Sequence, residues 1–354
     1  MKILLIGEKG SYTDSFIYAV KQLKCELNIY SINDFFTSMS FWQRKIYSLG
    51  WKDKLFIKFA KKQEKSIKSL YDKTKPNIVF FLGGCIVSQK TVDYMRQESK
   101  TAIWLIDSLK EKLFYNAIYH KLAWFNVIFT YEKDDVHLIQ ERFKKKTVFI
   151  PVGYDERFYK KCNTEHKDID ISFVGGRSDL RLSILEKAAE FAYKNRLKMC
   201  IYGITMDHES RHFWKKYIEK RRFLHKYPYL SNCLANIRRI PPQKTAEVYR
   251  SSKIVLNINR TASAAINPRT FEIMATNSFE LMDSRKDYCG IVEPGSNMEI
   301  YNDAEDMVNK LDYYLRYEEK RNDIAEAGYN TVKEKYSMNH IVQEIFIEMN
   351  EKLN

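Results

Sequence analysis

Between Asn267 and Asp283 the chain reads NPRTFEIMATNSFELMD, and one carboxylate, Glu272, stands there in an otherwise apolar run. Asparagine is a good N-cap and proline is favoured at the first helical position, so Asn267-Pro268 marks a helix start. It follows the strand-like run KIVLNIN and a short loop. A helix that begins at the carboxyl end of a strand turns free N–H groups and the positive end of its dipole toward whatever binds there, which suits an anion. Arg269 adds a fixed positive charge, and Thr270 follows it. Glu272, four residues after Pro268, falls on the same face and one turn deeper. A carboxylate at that depth repels phosphate but accepts from ribose hydroxyls, so the two sites suit the two ends of a nucleoside diphosphate. On the residues alone an equal alternative stands: Glu272 simply favours the helix dipole and pairs with Arg269 at a three-residue spacing.

A second constellation is DISFVGGRSDLR. Gly175 and Gly176 close a strand and let the backbone approach a ligand, Arg177 offers a fork that matches a diphosphate, and Arg181 opens the next helix. A Gly-Gly turn with a solvated arginine is the plainer reading. In the N-terminal half, Gly7 and Gly10 sit in the first strand-to-helix loop. Their spacing is not G-x-G-x-x-G and no Asp ends the second strand, so no dinucleotide cofactor is expected. Asp107 ends AIWLID and His120 lies on a following helix; either could serve an acceptor hydroxyl as a base, though capping by Asp107 and a surface position for His120 are the plainer roles. The six cysteines are scattered, with no C-x-x-C and no paired histidines, so neither a disulfide framework nor a metal site is expected and the compartment reads as reduced and cytoplasmic.

These residues need elements to hold them. The 354 residues suit two domains. The runs KILLIG, ELNIYSI, NIVFFLG, TAIWLID, NVIFTY and TVFIPV read as buried parallel strands alternating with helices, giving a doubly wound α/β domain over residues 1–155. After a polar stretch the pattern restarts with DISFVGG, KMCIYGI, NIRRIP, KIVLNIN, SFELMD and GIVEPG as strands of a second α/β domain over 168–335. From Asp303 the spacing is helical throughout, and 336–354 forms a final helix. No apolar run reaches eighteen residues, and the first residues lack a signal-peptide pattern. A formal net charge of +14 points to anionic partners: a nucleotide, a membrane surface, an acidic glycan or nucleic acid, with compositional lysine bias as the bland explanation. The stretch 41–75 mixes Trp42, Trp51, Phe56 and Phe59 with lysines at helical spacing, as either a peripheral membrane contact or a core helix with a solvated face. A second basic aromatic stretch, Arg211 to Tyr227, reads as a helical insertion between strands.

The run from Asn267 to Asp283, followed by GIVEPGSNMEIYNDAEDMVNKLDYYL and IAEAGYNTVKEKY and preceded by DISFVGGRSDLR and VYRSSKIVLNIN, resembles the C-terminal half of a group 1 glycosyltransferase of the CgeB-like branch. The resemblance covers Asp168 to Tyr336; residues 1–155 share only the general α/β pattern. It implies the GT-B fold, with two Rossmann-like doubly wound domains facing a cleft and C-terminal helices. The N-terminal domain would take the acceptor and the C-terminal domain the nucleotide-sugar donor, with 336–354 packing back on the first. By the same resemblance Glu272 corresponds to the family glutamate on the donor ribose, and Arg269 and Arg177 meet the diphosphate. Asn267 stands where many relatives carry a glycine whose neighbouring amides meet the diphosphate, with Thr270 in the same motif. Gly203 and Ile240 fall where relatives place the base, and are equally ordinary strand ends. Eight residues before Glu272, where many retaining relatives carry a second glutamate, this chain has Ala264, a departure that bears on the sugar contacts and on stereochemistry. The implied activity is metal-independent, cofactor-free transfer of a sugar from a nucleotide diphosphate sugar to a glycan, lipid-linked or protein acceptor, retaining in preference to inverting, in cell-surface polysaccharide synthesis. Nucleic acid is not an expected partner. The rivals are a GT-B sugar epimerase or hydrolase and a non-catalytic basic protein that binds polyanions.

Overall fold

A computed structural model describes residues 1–32, 52–162, 166–205, 213–259 and 266–350. Trp42, Trp51, Arg211 and Ala264 lie outside the described residues. The chain forms two compact units, Met1–Val152 with Met338–Asn354, and Gly153–Ser337.

In the first unit the order is β1 (Lys2–Glu8), α1 (Ser11–Gln22), β2 (Glu26–Ile32), α2 (Lys52–Thr74), β3 (Ile78–Leu82), α3 (Gln89–Arg96), β4 (Lys100–Leu105), α4 (Lys112–Ile118), a 3-10 turn (Tyr119–Trp124), β5 (Val127–Thr130), α5 (Lys133–Phe143) and β6 (Lys146–Phe149). All described pairings are parallel, in the order β2-β1-β3-β4-β5-β6. The central strands are buried on both faces, which is why IVFFL and AIWL read as continuous apolar runs rather than alternating ones. Helix α13 (Met338–Asn350) belongs to this unit: it buries Ile341, Val342, Ile345, Phe346 and Met349, and Phe346 meets Phe80 of β3 with ring centroids 6.4 Å apart. Helix α2 buries Ile67 and Tyr71 and leaves Phe56 and Ile57 exposed.

The second unit runs β7 (Ile169–Val174), α6 (Asp179–Lys194), β8 (Met199–Tyr202), α7 (Phe213–Lys226), α8 (Pro228–Asn232), β9 (Leu234–Asn236), α9 (Pro242–Arg250), β10 (Ser252–Asn257), α10 (Pro268–Ala275), β11 (Glu280–Asp283), β12 (Glu299–Tyr301), α11 (Ala304–Arg316) and α12 (Glu318–Val332). Its sheet is also parallel, ordered β12-β11-β10-β7-β8-β9, so the direction of winding reverses between β7 and β10. At such a switch point the loops after the two strands part and leave a crevice at their carboxyl ends.

Two expected strands are corrected here. NIRRIP is not one: the edge strand β9 ends at Asn236, whose side-chain oxygen accepts from the Arg238 N–H at 2.9 Å and turns the backbone away. GIVEPG is a turn, with Cys289, Gly290 and Gly295 at positive φ, and the outermost strand is instead the EIY of β12.

Candidate functional site

The switch point of the second unit brings together most of the residues singled out in its sequence. Gly175 follows β7, and its N–H donates to the Tyr202 carbonyl at 3.0 Å; Gly203 follows β8 and donates to the Asn236 carbonyl at 2.8 Å. The two glycines touch: a Cβ on Gly203, whose φ is +87°, would lie 2.9 Å from the Gly175 oxygen. A Cβ on Gly175 would come to 2.8 Å from Phe173 Cζ and 3.2 Å from Arg269 Nη2, so the Arg269 guanidinium stands directly against the glycine backbone. Substituting Gly175→Ala is therefore expected to cost about 1–3 kcal/mol and to dislodge Arg269. A fall in melting temperature would show the cost, and an unchanged protein would refute the close approach. Ile240 lies half-buried on the β9–α9 loop beyond the same strand ends.

Helix α10 starts as expected. Asn267 caps it in extended conformation, accepting from the Arg269 N–H at 2.9 Å, with Pro268 next. Arg269 Nη1 donates to Asn257 Oδ1 at 2.8 Å, and its guanidinium lies 5.9 Å from the Phe173 ring centroid. Arg181, expected only to open a helix, is buried and donates to the Ile258 carbonyl (Nε, 2.8 Å) and the Gly176 carbonyl (Nη1, 2.8 Å). It thereby fastens the Gly175-Gly176 loop to the end of β10. Arg177 is half-buried; its Nη1 donates to the Thr205 carbonyl at 2.9 Å and its guanidinium lies 5.3 Å from the Phe223 ring of α7.

Thr270 is corrected as a donor contact. Its side chain is fully buried and its hydroxyl donates to Glu280 Oε1 at 3.0 Å, because helical spacing turns position 270 toward β11 while 269 and 272 face elsewhere. Glu272 is half-buried. Burial pushes its carboxyl up to about 7, against the pull of Arg269 and a hydrogen bond donated by Tyr159, with Asp155 adding repulsion.

Behind these residues lies a polar network that the sequence reading passed over. Asn257, fully buried, donates through Nδ2 to Glu280 Oε1 at 2.6 Å, and its Oδ1 accepts from both Arg269 and Asn267 Nδ2 (2.9 Å). Asn267 Nδ2 also reaches Asn259 Oδ1 at 2.6 Å, and Asn259 in turn donates to Asp283 Oδ1 through its backbone (2.9 Å) and side chain (3.0 Å). The signal was available: two asparagines two residues apart in KIVLNIN, and acids at both ends of ELMD, are polar groups in strands otherwise buried.

Glu280 is fully buried, its Oε2 has no hydrogen-bond partner among the described residues, and burial pushes its carboxyl up to about 7 despite donors from Asn257 and Thr270. A carboxyl raised from its usual range holds its proton better folded than unfolded, so its contribution to stability is complete below about pH 4.5 and is lost as pH rises through 7. Glu280→Gln, a mimic of the protonated form, should accordingly melt close to wild type at pH 5 and several degrees higher at pH 8. Parallel melting curves across pH 5–8 would refute the raised carboxyl.

In the first unit Asp107 lies exposed just past the carboxyl end of β4. His120 is exposed on the 3-10 turn, beside Tyr119, whose ring packs 5.1 Å from Phe143 at the end of α5 and hence near the amino end of β6. The two candidate bases thus lie toward opposite ends of their sheet and do not form one site. Among the described residues no helix is long and apolar enough to cross a membrane, and no cluster of three or more His, Cys, Asp or Glu side chains is arranged to hold a metal ion.

The family model described as glycosyl transferase-like matches residues 181–347. The Bacillus subtilis spore protein CgeB is 24% identical over 222 residues, which are 59% of this chain and 62% of that protein's length. Among solved structures, a sucrose-phosphate synthase from Thermosynechococcus elongatus superposes with a TM-score of 0.71 at 13% identity, covering 98% of each chain. Anabaena HepE in complex with UDP-glucose superposes at 0.66 with 11% identity, covering 99% of each. At these identities the structures speak to the fold, which is GT-B: two Rossmann-like α/β units, each with a parallel sheet.

Proposed function

We propose that the chain is a CgeB-like glycosyltransferase of group 1, that its second unit binds a nucleoside diphosphate sugar and that the protein transfers the sugar to an acceptor carried by the first unit, a reading supported by the glycosyl transferase-like match and the likeness to CgeB. The observation that carries this reading is the convergence at the β7/β10 switch point: the Arg269 guanidinium against Gly175, the capped N-terminus of α10, and Glu272 one turn along the same helix. Arg269, the helix amides and Arg177 take the diphosphate, and Glu272 takes the ribose hydroxyls. HepE, of the same fold, is known in complex with UDP-glucose, which supports this ligand class.

Chemistry follows from charge. As the glycosidic bond breaks, negative charge grows on the leaving diphosphate, and two guanidiniums with a helix N-terminus stabilise it in a partly buried site. Those groups do the neutralising that a divalent cation does elsewhere, so the reaction as proposed runs without metal. The resemblance favours retention at the anomeric carbon, a glycan, lipid-linked or protein acceptor, and a cytoplasmic setting where nucleotide sugars are available.

The test is a panel of UDP-, GDP-, CMP- and dTDP-sugars, scored first by thermal stabilisation and then by transfer to acceptors. One nucleotide sugar should stabilise the protein and yield a product whose anomeric configuration is read by NMR. Hydrolysis or epimerisation in place of transfer would overturn the activity, and the absence of any nucleotide-sugar binding would overturn the site.

A further inference from the structure

Helix α7 (Phe213–Lys226) has two faces, and only one is explained by the core. Inward, Phe223, followed by Tyr227 just past the helix, is buried in the apolar core of the second unit. Outward, Trp214, Tyr217, Ile218 and Leu224 follow the three- and four-residue spacing of a single helical face, yet they are 73%, 48%, 47% and 40% exposed. Four large apolar side chains share the solvent side of one helix as a stripe, with exposed Arg221 and His225 between them. Exposed cations accompany it: Arg221 lies within the stripe, Lys220 borders one side, and Arg222 and Lys226 the other, with Glu219 the lone acid of the helix.

We propose that this face of α7 is a docking surface for an anionic lipid bilayer. Charge selects the occupant. A protein groove would leave Lys220, Arg222 and Lys226 facing a partner of unspecified charge, whereas a bilayer surface meets flanking cations with phosphate headgroups while the stripe enters the acyl boundary. Tryptophan and tyrosine are suited to that boundary, their rings apolar and their N–H and O–H ends wet. Arg221 lies 5.6 Å from the Tyr217 ring centroid, and lysine and arginine stems can run along an apolar face while their charges stay in the headgroup layer. Through its inward side the helix also touches the nucleotide site, since Phe223 lies under Arg177. Docking on α7 therefore sets the second unit against the membrane with the Arg177 loop adjoining the docked element. The proposal concerns a surface, and it holds or fails independently of the nucleotide-sugar reading.

Sedimentation of the full chain with phosphatidylcholine vesicles containing 30% phosphatidylglycerol, and with phosphatidylcholine alone, tests it. Binding should require the anionic lipid and weaken with added salt. Trp214→Glu/Ile218→Glu should abolish sedimentation, and Lys220→Glu/Arg221→Glu/Arg222→Glu should weaken it at least about 100-fold, given roughly fivefold per cation at an anionic surface. Both variants keep Phe223, and matching circular dichroism with wild type excludes unfolding. Phe56→Glu/Ile57→Glu on α2 should bind as wild type. Equal binding to neutral vesicles, α7 variants that sediment normally, or loss only in the α2 variant would each overturn the proposal. So would a change in oligomeric state or RNA retention on substituting the stripe without any change in vesicle binding.

Discussion

Replacing Glu272 by glutamine is expected to leave the free protein more stable at pH 8 while weakening nucleotide-sugar binding about 10- to 100-fold. The two effects have opposite signs because one carboxyl is held in two different states. In the free protein burial lifts it to about 7, so above that pH folding must ionise a group whose surroundings resist ionisation; glutamine removes a penalty on the order of 1–3 kcal/mol. In the proposed complex the ribose hydroxyls donate to a carboxylate, in bonds of about 1.5–3 kcal/mol each, and the neutral amide, which accepts through one oxygen and without charge, recovers only part of that. Because hydroxyl donors favour the ionised form, ligand binding draws the proton off. Affinity for the nucleotide sugar that stabilises the protein should thus rise with pH up to about 7 and level off above it. Near pH 6.5 binding should release a proton, seen as a calorimetric enthalpy that changes with the ionisation enthalpy of the buffer. If glutamine at 272 binds the nucleotide sugar as tightly as wild type, or no proton is released, the ribose lies elsewhere.

Much of the architecture could be read in the residues, and the exceptions have physical reasons. The buried central strands were legible because a parallel sheet covered on both faces demands uninterrupted apolar runs, and the Asn-Pro start of α10 because capping chemistry is local. NIRRIP and GIVEPG misled because edge segments carry weak periodicity and their fate is decided by single groups, the Asn236 side chain in one and residues at positive φ in the other. Site residues divide in the same way. The local conformations at a helix start or a glycine turn, at Asn267, Arg269 and Gly175, could be read from neighbours in sequence. Asn257, Asn259, Glu280 and Asp283 act across strands, and which polar groups meet depends on the register of β10 against β11, where Asn257 pairs with Met282. Thr270 was misplaced for the same reason: motif membership says nothing about which side of a helix faces the sheet.

The register argument makes Asn257 the residue whose loss should cost most. Asn257→Leu keeps the branched shape of the side chain but leaves Arg269 without its side-chain acceptor and buried Glu280 with one donor fewer. Breaking a buried, charge-linked network costs about 3–5 kcal/mol, or a melting temperature lower by on the order of 10 °C for a unit of this size. That loss alone would be expected of any core polar residue. The informative comparison is Asn257→Leu/Glu280→Met, which removes both ends of the 2.6 Å hydrogen bond and leaves an apolar pair in place of a carboxyl held by Thr270 alone. Stability should recover in part, because much of the penalty of the single variant lies in the under-satisfied Glu280 rather than in the bond itself. Nucleotide affinity should not recover, because Arg269 still lacks the Oδ1 that holds its guanidinium against Gly175. Melting curves and nucleotide-sugar titrations on wild type, Asn257→Leu and the double variant separate the two roles. If affinity returned together with stability, Asn257 would serve only the core and would not position Arg269.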